Sequence, residues 1–168
     1  MKKAYLDIET TGLSPVSSYI TVVGVMTEEE GKCNKYQLYG DQITYDAIDN
    51  IMHKVDVLYT FNGARFDLPF IKQSVGNNLL IGRRHIDLMY SCRKRGLKGG
   101  LKSIEKKLGI SRDGEGGNGY MAVRLWWQYV NYYDENALDK LLRYNMDDVY
   151  NLKVLDEKLR AMDDVDNI

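Results

Sequence analysis

Residues 4–13 read A-Y-L-D-I-E-T-T-G-L, and the fold follows from how this stretch is placed. Tyr5, Leu6 and Ile8 favour extended backbone, so residues 4–9 are expected to form a strand. Side chains two apart on a strand face the same way, so Asp7 and Glu9 project together from an otherwise apolar segment. Taken alone, such a pair is the solvent face of a half-buried strand, because carboxylates are seldom buried. Here Thr10-Thr11-Gly12-Leu13 turns the chain at once. The pair therefore sits at the C-terminal end of the strand, where open sheets place their ligand sites.

Outward from this strand, residues 19–27 (YITVVGVMT) read as a largely buried second strand. Residues 28–32 (EEEGK) form a turn, and residues 35–39 return as a hairpin partner. Ile43, Ala47, Ile48 and Ile51 recur at helical spacing, which predicts a helix over 41–54. Residues 56–61 (DVLYTF) are a further strand. Asn62-Gly63 breaks it, and a helix follows over 66–75 with Asp67 and Pro69 in its first turn. A short strand is expected over 85–88, a brief helix over 101–108 and an aromatic-rich helix over 120–133. Residues 111–119 hold four glycines and read as the most flexible stretch. Residues 134–162 are helical throughout, with room for one break. The order βββαβα followed by helices predicts a mixed sheet rather than a repeated parallel βαβ array. No internal repeat or second domain is visible, so residues 1–168 are expected to form a single domain.

The 168 residues carry 23 Lys+Arg against 24 Asp+Glu, a formal net charge of −1. That excludes a uniformly basic polyanion binder and a polyacidic tail protein. With 44% hydrophobic and 28% charged residues, the chain has the composition of a folded domain. Cys33 and Cys92 form no C-x-x-C pair, so a cysteine zinc site has no support. Both are expected to be reduced thiols of a cytoplasmic protein. No stretch approaches the ~20 apolar residues of a membrane helix, and no apolar leader develops after Met1-Lys2-Lys3. Charge is nonetheless uneven. Residues 83–107 hold nine basic residues against two acidic ones, whereas residues 134–168 hold ten acidic against five basic. A basic segment beside an acidic centre suits a nucleic-acid partner, with cations on phosphates and carboxylates on metal ions.

Two further carboxylates stand in recognisable surroundings. Asp67 closes F-N-G-A-R-F-D at 61–67, where an isolated aspartate is also a good first-turn residue of a helix. Asp148 lies in Y-N-M-D-D-V-Y-N-L at 144–152, four residues after Tyr144 and on the same helical face. Together with D-I-E-T-T-G-L at 7–13, these blocks resemble the DnaQ-like DEDD exonucleases of the ribonuclease H-like superfamily. Tyr144 stands four before Asp148 and Arg143 stands five before, so the chain resembles the tyrosine subclass (DEDDy) rather than the histidine one. More narrowly, F-N-G-x-x-F-D-x-P, Y-N-x-x-D-V-x-N-L, L-K-S-I-E-K-K-L-G-I and G-Y-M-A-V-R-L-W look similar to the YprB-type ribonuclease H-like family.

The resemblance implies an α/β fold: a ribonuclease H-like mixed sheet, three antiparallel strands and then parallel ones, flanked by helices. It implies a 3′→5′ exonuclease that hydrolyses phosphodiester bonds at single-stranded DNA or RNA ends and releases nucleoside monophosphates. Two divalent ions, Mg²⁺ or Mn²⁺, suit such chemistry, since hard cations prefer carboxylate oxygen. Asp7, Glu9, Asp67 and Asp148 are the expected ligands, with Asp7 bridging and Asp67 acting directly or through water. Tyr144 would orient the attacking water. Asp147 points about 100° away from Asp148 on a helix and is expected to be a neighbour rather than a ligand. The resemblance further implies that Thr10, Gly12 and Leu13 approach the terminal nucleotide, with Leu13 against its base. Asn62 and Gly63 face the same cleft, although Asn-Gly is equally a turn pair. His53 and His85 read as structural, and core packing is expected for at least one of Trp126 and Trp127. Any polymerase, helicase or repair partner would be a separate chain. Two alternatives stay open here: a non-catalytic nucleic-acid-binding adaptor on the same fold, and a haloacid-dehalogenase-type phosphatase for which D-I-E-T is a loose match.

Overall fold

The computed structural model of the chain describes residues 1–114 and 117–166. Five strands form one sheet in the order β3-β2-β1-β4-β5. β1 (Lys3–Thr10), β2 (Ile20–Glu29) and β3 (Lys32–Tyr39) are an antiparallel meander, and β4 (Val57–Thr60) and β5 (Arg84–Asp87) join β1 in parallel. This is the mixed α/β sheet expected from the element order. The β2–β3 hairpin turns on Glu30 and Gly31, both with positive φ, the geometry that matches strand twist in a two-residue loop.

Helices cover both faces. α1 (Tyr45–Ile51) and α2 (Asp67–Val75) pack on one side, and α3 (Leu88–Lys94), α4 (Leu101–Leu108), α5 (Gly119–Tyr132) and α6 (Glu135–Asp166) on the other. The parity of β1 assigns its side chains. Ala4, Leu6 and Ile8 join Ile48, Met52, Phe70 and Ile71 in one core. Tyr5 joins Leu88, Cys92, Leu152 and Leu155 in the opposite core. Asp7 and Glu9 share the parity of Tyr5, so they face α6. The near-continuous burial of β2 follows from the same double cover.

The element reading needs a few corrections. The helix expected over 41–54 is a 3₁₀ turn at Gly40–Gln42 followed by α1, because the Thr44 side chain accepts from the Ala47 N–H and starts a new helix there. The strand expected over 85–88 ends at Asp87, which caps α3, a helix the periodicity did not reveal. α6 runs unbroken. In the glycine-rich 111–119 stretch, residues 111–114, 117 and 118 are irregular, Gly119 opens α5, and residues 115 and 116 lie outside the described residues. No helix among the described residues is long and apolar enough to cross a membrane.

Gly24 explains how α6 comes so close. It pairs with Asp7 on one side and Gln37 on the other. A Cβ at this position would lie 2.1 Å from Asn145 Oδ1 and 2.9 Å from Val149 Cγ2. The missing side chain leaves a slot in the sheet surface into which α6 settles.

Candidate active site

β1 and α6 bring three carboxylates together. Asp7, Glu9 and Asp148 each offer an oxygen within 4.8 Å of the others, the one such set of metal-ligand type found among the described residues. Strand parity supplies the first two and the seating of α6 at Gly24 supplies the third. Asp67, the first residue of α2, lies outside this trio. It is buried, and its Oδ1 accepts the Ile8 N–H at 3.1 Å, so it reaches β1 from the side. Its negative charge still acts on Asp7 and Glu9.

Burial raises the proton affinity of all four carboxyls, and at Asp7, Glu9 and Asp67 repulsion from neighbouring carboxylates raises it further. Asp67 is pushed up to about 7. Asp7 and Glu9 are held well above the usual carboxylate range, by desolvation first and by Asp148 next. For Asp148, Lys102 and Arg112 work against burial.

Asp7 and Asp148 are each held by a further residue that the sequence reading did not single out. Asn145 Nδ2 donates to Asp7 Oδ2 at 3.1 Å and to the Asp7 carbonyl at 3.2 Å. Gln37 Nε2 donates to Asn145 Oδ1 at 3.0 Å, which fixes the amide orientation. Arg112 donates to Asp148 Oδ1 at 2.5 Å and to both oxygens of Glu105 at 2.9 Å. Glu105 is buried and also accepts from Asn151 Nδ2 at 2.9 Å, so Arg112 is clamped rather than loose. Lys102 Nζ lies 2.5 Å from the Tyr144 hydroxyl, 4.4 Å from its ring centroid and 3.7 Å from Asp148 Oδ2. Asn145 was visible inside Y-N-x-x-D, and Lys102 within the basic segment. Nothing local marks Arg112 or Gln37.

Tyr144 is buried beside the trio, and desolvation with the charges of Asp148, Glu9 and Asp7 drives its phenol pKa up, so it stays protonated. Its partner Lys102 can only donate, which leaves the phenolic hydrogen available to a water or phosphate oxygen. Asp147 turns away from the trio and accepts the Gly114 N–H at 3.0 Å, pinning the glycine-rich loop to α6.

The expected substrate-facing residues are divided. The Thr10 hydroxyl donates to the Gly12 carbonyl at 2.6 Å and closes the turn after β1. Gly12 is required there, since a Cβ would lie 2.5 Å from Ser18 Oγ. Leu13, on the same turn, is 87% exposed and presents an apolar side chain to solvent. Asn62 has φ of 60°, and a Cβ at Gly63 would meet Thr60 Oγ1 at 2.2 Å, so this pair forms a required turn. Asp87 holds that turn by accepting from the N–H groups of Asn62, Ala64 and Met89. His85 contacts Thr60 Oγ1 at 2.9 Å, a structural role, and buried Trp126 donates to the Tyr19 hydroxyl at 2.9 Å. The basic 83–107 segment is only partly available to a ligand. Arg83 donates to the Met52 carbonyl, Arg95 pairs with Asp163, and Lys107 donates to the Lys98 carbonyl.

A mixed five-stranded sheet with a carboxylate trio under its longest helix defines the ribonuclease H-like class of α/β proteins. The family model described as RNase_H superfamily matches residues 4–160, and this chain belongs to that family. That membership leaves the phosphatase alternative without support. No curated protein matches the chain. Among solved structures, it is similar in fold to the family B DNA polymerase of the hyperthermophilic archaeon Pyrobaculum calidifontis, at 19% identity and a TM-score of 0.71, over 95% of this chain and 24% of that one. The chain thus spans about a quarter of that polymerase's length. It is also similar to NrnC of Brucella melitensis bound to pGG, at 18% identity and a TM-score of 0.61, over 96% of this chain and 74% of that one. NrnC with bound Mg²⁺ matches at 19% identity and a TM-score of 0.61, over 95% and 74%. These are likenesses of fold.

Proposed function

We propose that this protein is a metal-dependent 3′→5′ exonuclease that acts on single-stranded nucleic acid and releases nucleoside monophosphates. The observation that carries the reading is the convergence of Asp7, Glu9 and Asp148, with oxygens within 4.8 Å of one another, beside a protonated tyrosine. The donor set is entirely carboxylate oxygen, which suits Mg²⁺ or Mn²⁺ and not a soft ion. The packed negative charge also calls for a cation, and Lys102 and Arg112 form direct ion pairs only with Asp148 of the trio. Asp7, Glu9 and Asp148 would hold the ions, with Asp67 alongside. When bound, two divalent ions supply an acidified water and neutralise charge on the phosphate and leaving oxygen. The fold neighbour NrnC, solved with Mg²⁺ and with pGG, is compatible with such a centre.

The chain's own residues do the positioning. Asn145, held by Gln37, keeps Asp7 in one orientation, and Arg112, held by Glu105, does the same for Asp148. Tyr144 directs its hydroxyl hydrogen at the attacking water or a phosphate oxygen. Water adds to phosphorus, the bond from phosphorus to the 3′ oxygen breaks, and that oxygen takes up a proton. Leu13 offers a surface for the terminal base.

The test is a digestion panel of labelled single- and double-stranded DNA and RNA, blocked at 3′ or 5′ ends, with Mg²⁺, Mn²⁺ or EDTA. Monophosphates should appear from free 3′ single-stranded ends only, and EDTA should stop their release. Asp7→Ala should lose at least ~10³-fold in rate while keeping its circular dichroism spectrum. Undiminished cleavage by Asp7→Ala in Mn²⁺ would overturn the metal assignment. Tight strand binding without cleavage by the wild type would favour the adaptor reading.

A further inference from the structure

Beside Tyr144 lies a cavity of about 250 Å³ between α5 and α6. Arg124, Lys140 and Arg143 line it, together with Met121, Leu125 and Tyr144. The three cationic side chains come from exposed residues, and no carboxylate among the described residues lies within ion-pair distance of any of them. The cluster sits within α5 and the otherwise acid-rich α6, which makes three cations without an ion pair to any described residue conspicuous around one hollow. Gly114 adds to the wall. Gly114 is tied to Asp147, and Gly117 presses against Met121 and Tyr144 so closely that a Cβ would lie 2.2 Å from Met121 Cε and 3.3 Å from Tyr144 Cε2.

We propose that this cavity is a second subsite for the nucleic-acid strand, taking a backbone phosphate near but distinct from the one that is cut. The proposal rests on the nuclease reading for its substrate, and three features lead to it. Tyr144 is shared between the cavity and the carboxylate trio, so a ligand here touches the wall of the reacting centre. The hollow combines cations with the apolar surfaces of Met121 and Leu125, which matches a phosphate attached to a sugar and base better than a bare anion. Its charge is opposite to that of the trio, so a strand crossing Tyr144 would have its metal-bound phosphate on one side and a cation-bound phosphate on the other. The subsite would set strand register and favour oligonucleotides over mononucleotide esters.

The experiment compares the wild type with the triple variant Arg124→Ala/Lys140→Ala/Arg143→Ala, with Lys72→Ala as a control for a remote exposed cation. The probe is a fluorescein-labelled oligothymidylate of about eight nucleotides, within the span of ordinary single-strand sites. A series of probes carries one neutral methylphosphonate linkage at each position in turn. Binding is read by anisotropy in EDTA across a salt series, and KM and kcat are read in Mn²⁺. The triple variant should bind at least about tenfold more weakly, and its salt slope should fall by about 0.7 for each phosphate released. In the wild type one methylphosphonate position should weaken binding, and in the triple variant that position should become silent. The loss should appear in KM more than in kcat. Inorganic phosphate should displace the oligonucleotide poorly, whereas displacement at micromolar phosphate would mean a free-anion site and overturn the strand assignment. Identical methylphosphonate profiles and salt slopes in wild type and triple variant would also overturn the proposal. The nuclease reading stands or falls separately on cleavage by the wild type, because the binding arm needs no turnover.

Discussion

In the proposed reaction two side chains would carry the chemistry in contrasting ways. Asp7 is useful because it is a carboxylate at one end of a chain of amides, Gln37 to Asn145 to Asp7. Tyr144 is useful because burial and three neighbouring carboxylates keep it a phenol. Tyr144→Phe removes only the hydroxyl and its contact to Lys102, so kcat should fall roughly 10²-fold with little change in melting temperature. Steady-state kinetics with thermal melts would check this, and an equal loss of stability would mean the tyrosine is structural. Gly24 illustrates a residue whose value is an absence. Gly24→Ala places a methyl against Asn145 and Val149, so unfolding in urea should show a loss of about 1–3 kcal/mol. The same variant should weaken metal binding, because Asn145 must shift from Asp7.

At the scale of elements, the centre depends on how α4 and the loop after it lock onto α6. Glu105 on α4 holds Arg112 through both oxygens, and Arg112 reaches Asp148. Both partners are largely buried, so removing Glu105 takes away the main anchor of Arg112 and leaves it paired with Asp148 alone, while Asn151 loses its acceptor. Glu105→Ala should cost about 3 kcal/mol by urea denaturation. Lys153→Ala, which breaks partly solvated ion pairs with Glu157 one helical turn on and with Glu28 of β2, should cost no more than about 1 kcal/mol. Similar costs for the two would show that burial does not separate them. The elements themselves were largely legible in advance: β1, the β2–β3 hairpin, α2 and the long α6 follow from alternation, turn residues and helical spacing. α3 was not, because its seven residues are too few to show a period and its start depends on the Asp87 cap.

Across the whole molecule, the fold tolerates three buried carboxyls and the half-buried Asp7 at one end of its sheet, and pH should reveal the strain. A carboxyl whose folded pKa is raised stabilises the fold while protonated, and that contribution is lost as pH climbs through the folded value. Asp67, pushed up to about 7, places the loss between roughly pH 4 and 7, and Asp7 and Glu9 act with the same sign. In EDTA, the melting temperature should therefore fall from pH 5.5 to pH 8. Asp67→Asn should flatten that fall, since the amide oxygen can still accept from Ile8. Mn²⁺ at pH 8 should restore the melting temperature of the wild type, by about 2.7 kcal/mol at a hundredfold excess over its dissociation constant. Calorimetric melts across pH, with and without Mn²⁺, measure all three effects.

The sequence by itself determined the order of elements, the mixed sheet, the shared face of Asp7 and Glu9, and the choice of Tyr144 and Asp148. The first three follow from local periodicity, since residues two apart on a strand face the same way whatever lies around them, and the choice of Tyr144 and Asp148 follows from the resemblance of Y-N-x-x-D to the tyrosine subclass. Only the tertiary structure decided what surrounds them. Asn145 with Gln37, Arg112 with Asp148, Lys102 against Tyr144 and the cationic hollow beside that tyrosine all join residues distant along the chain. Their contacts exist because Gly24 lets α6 settle onto the sheet, a depth of approach that no local pattern encodes.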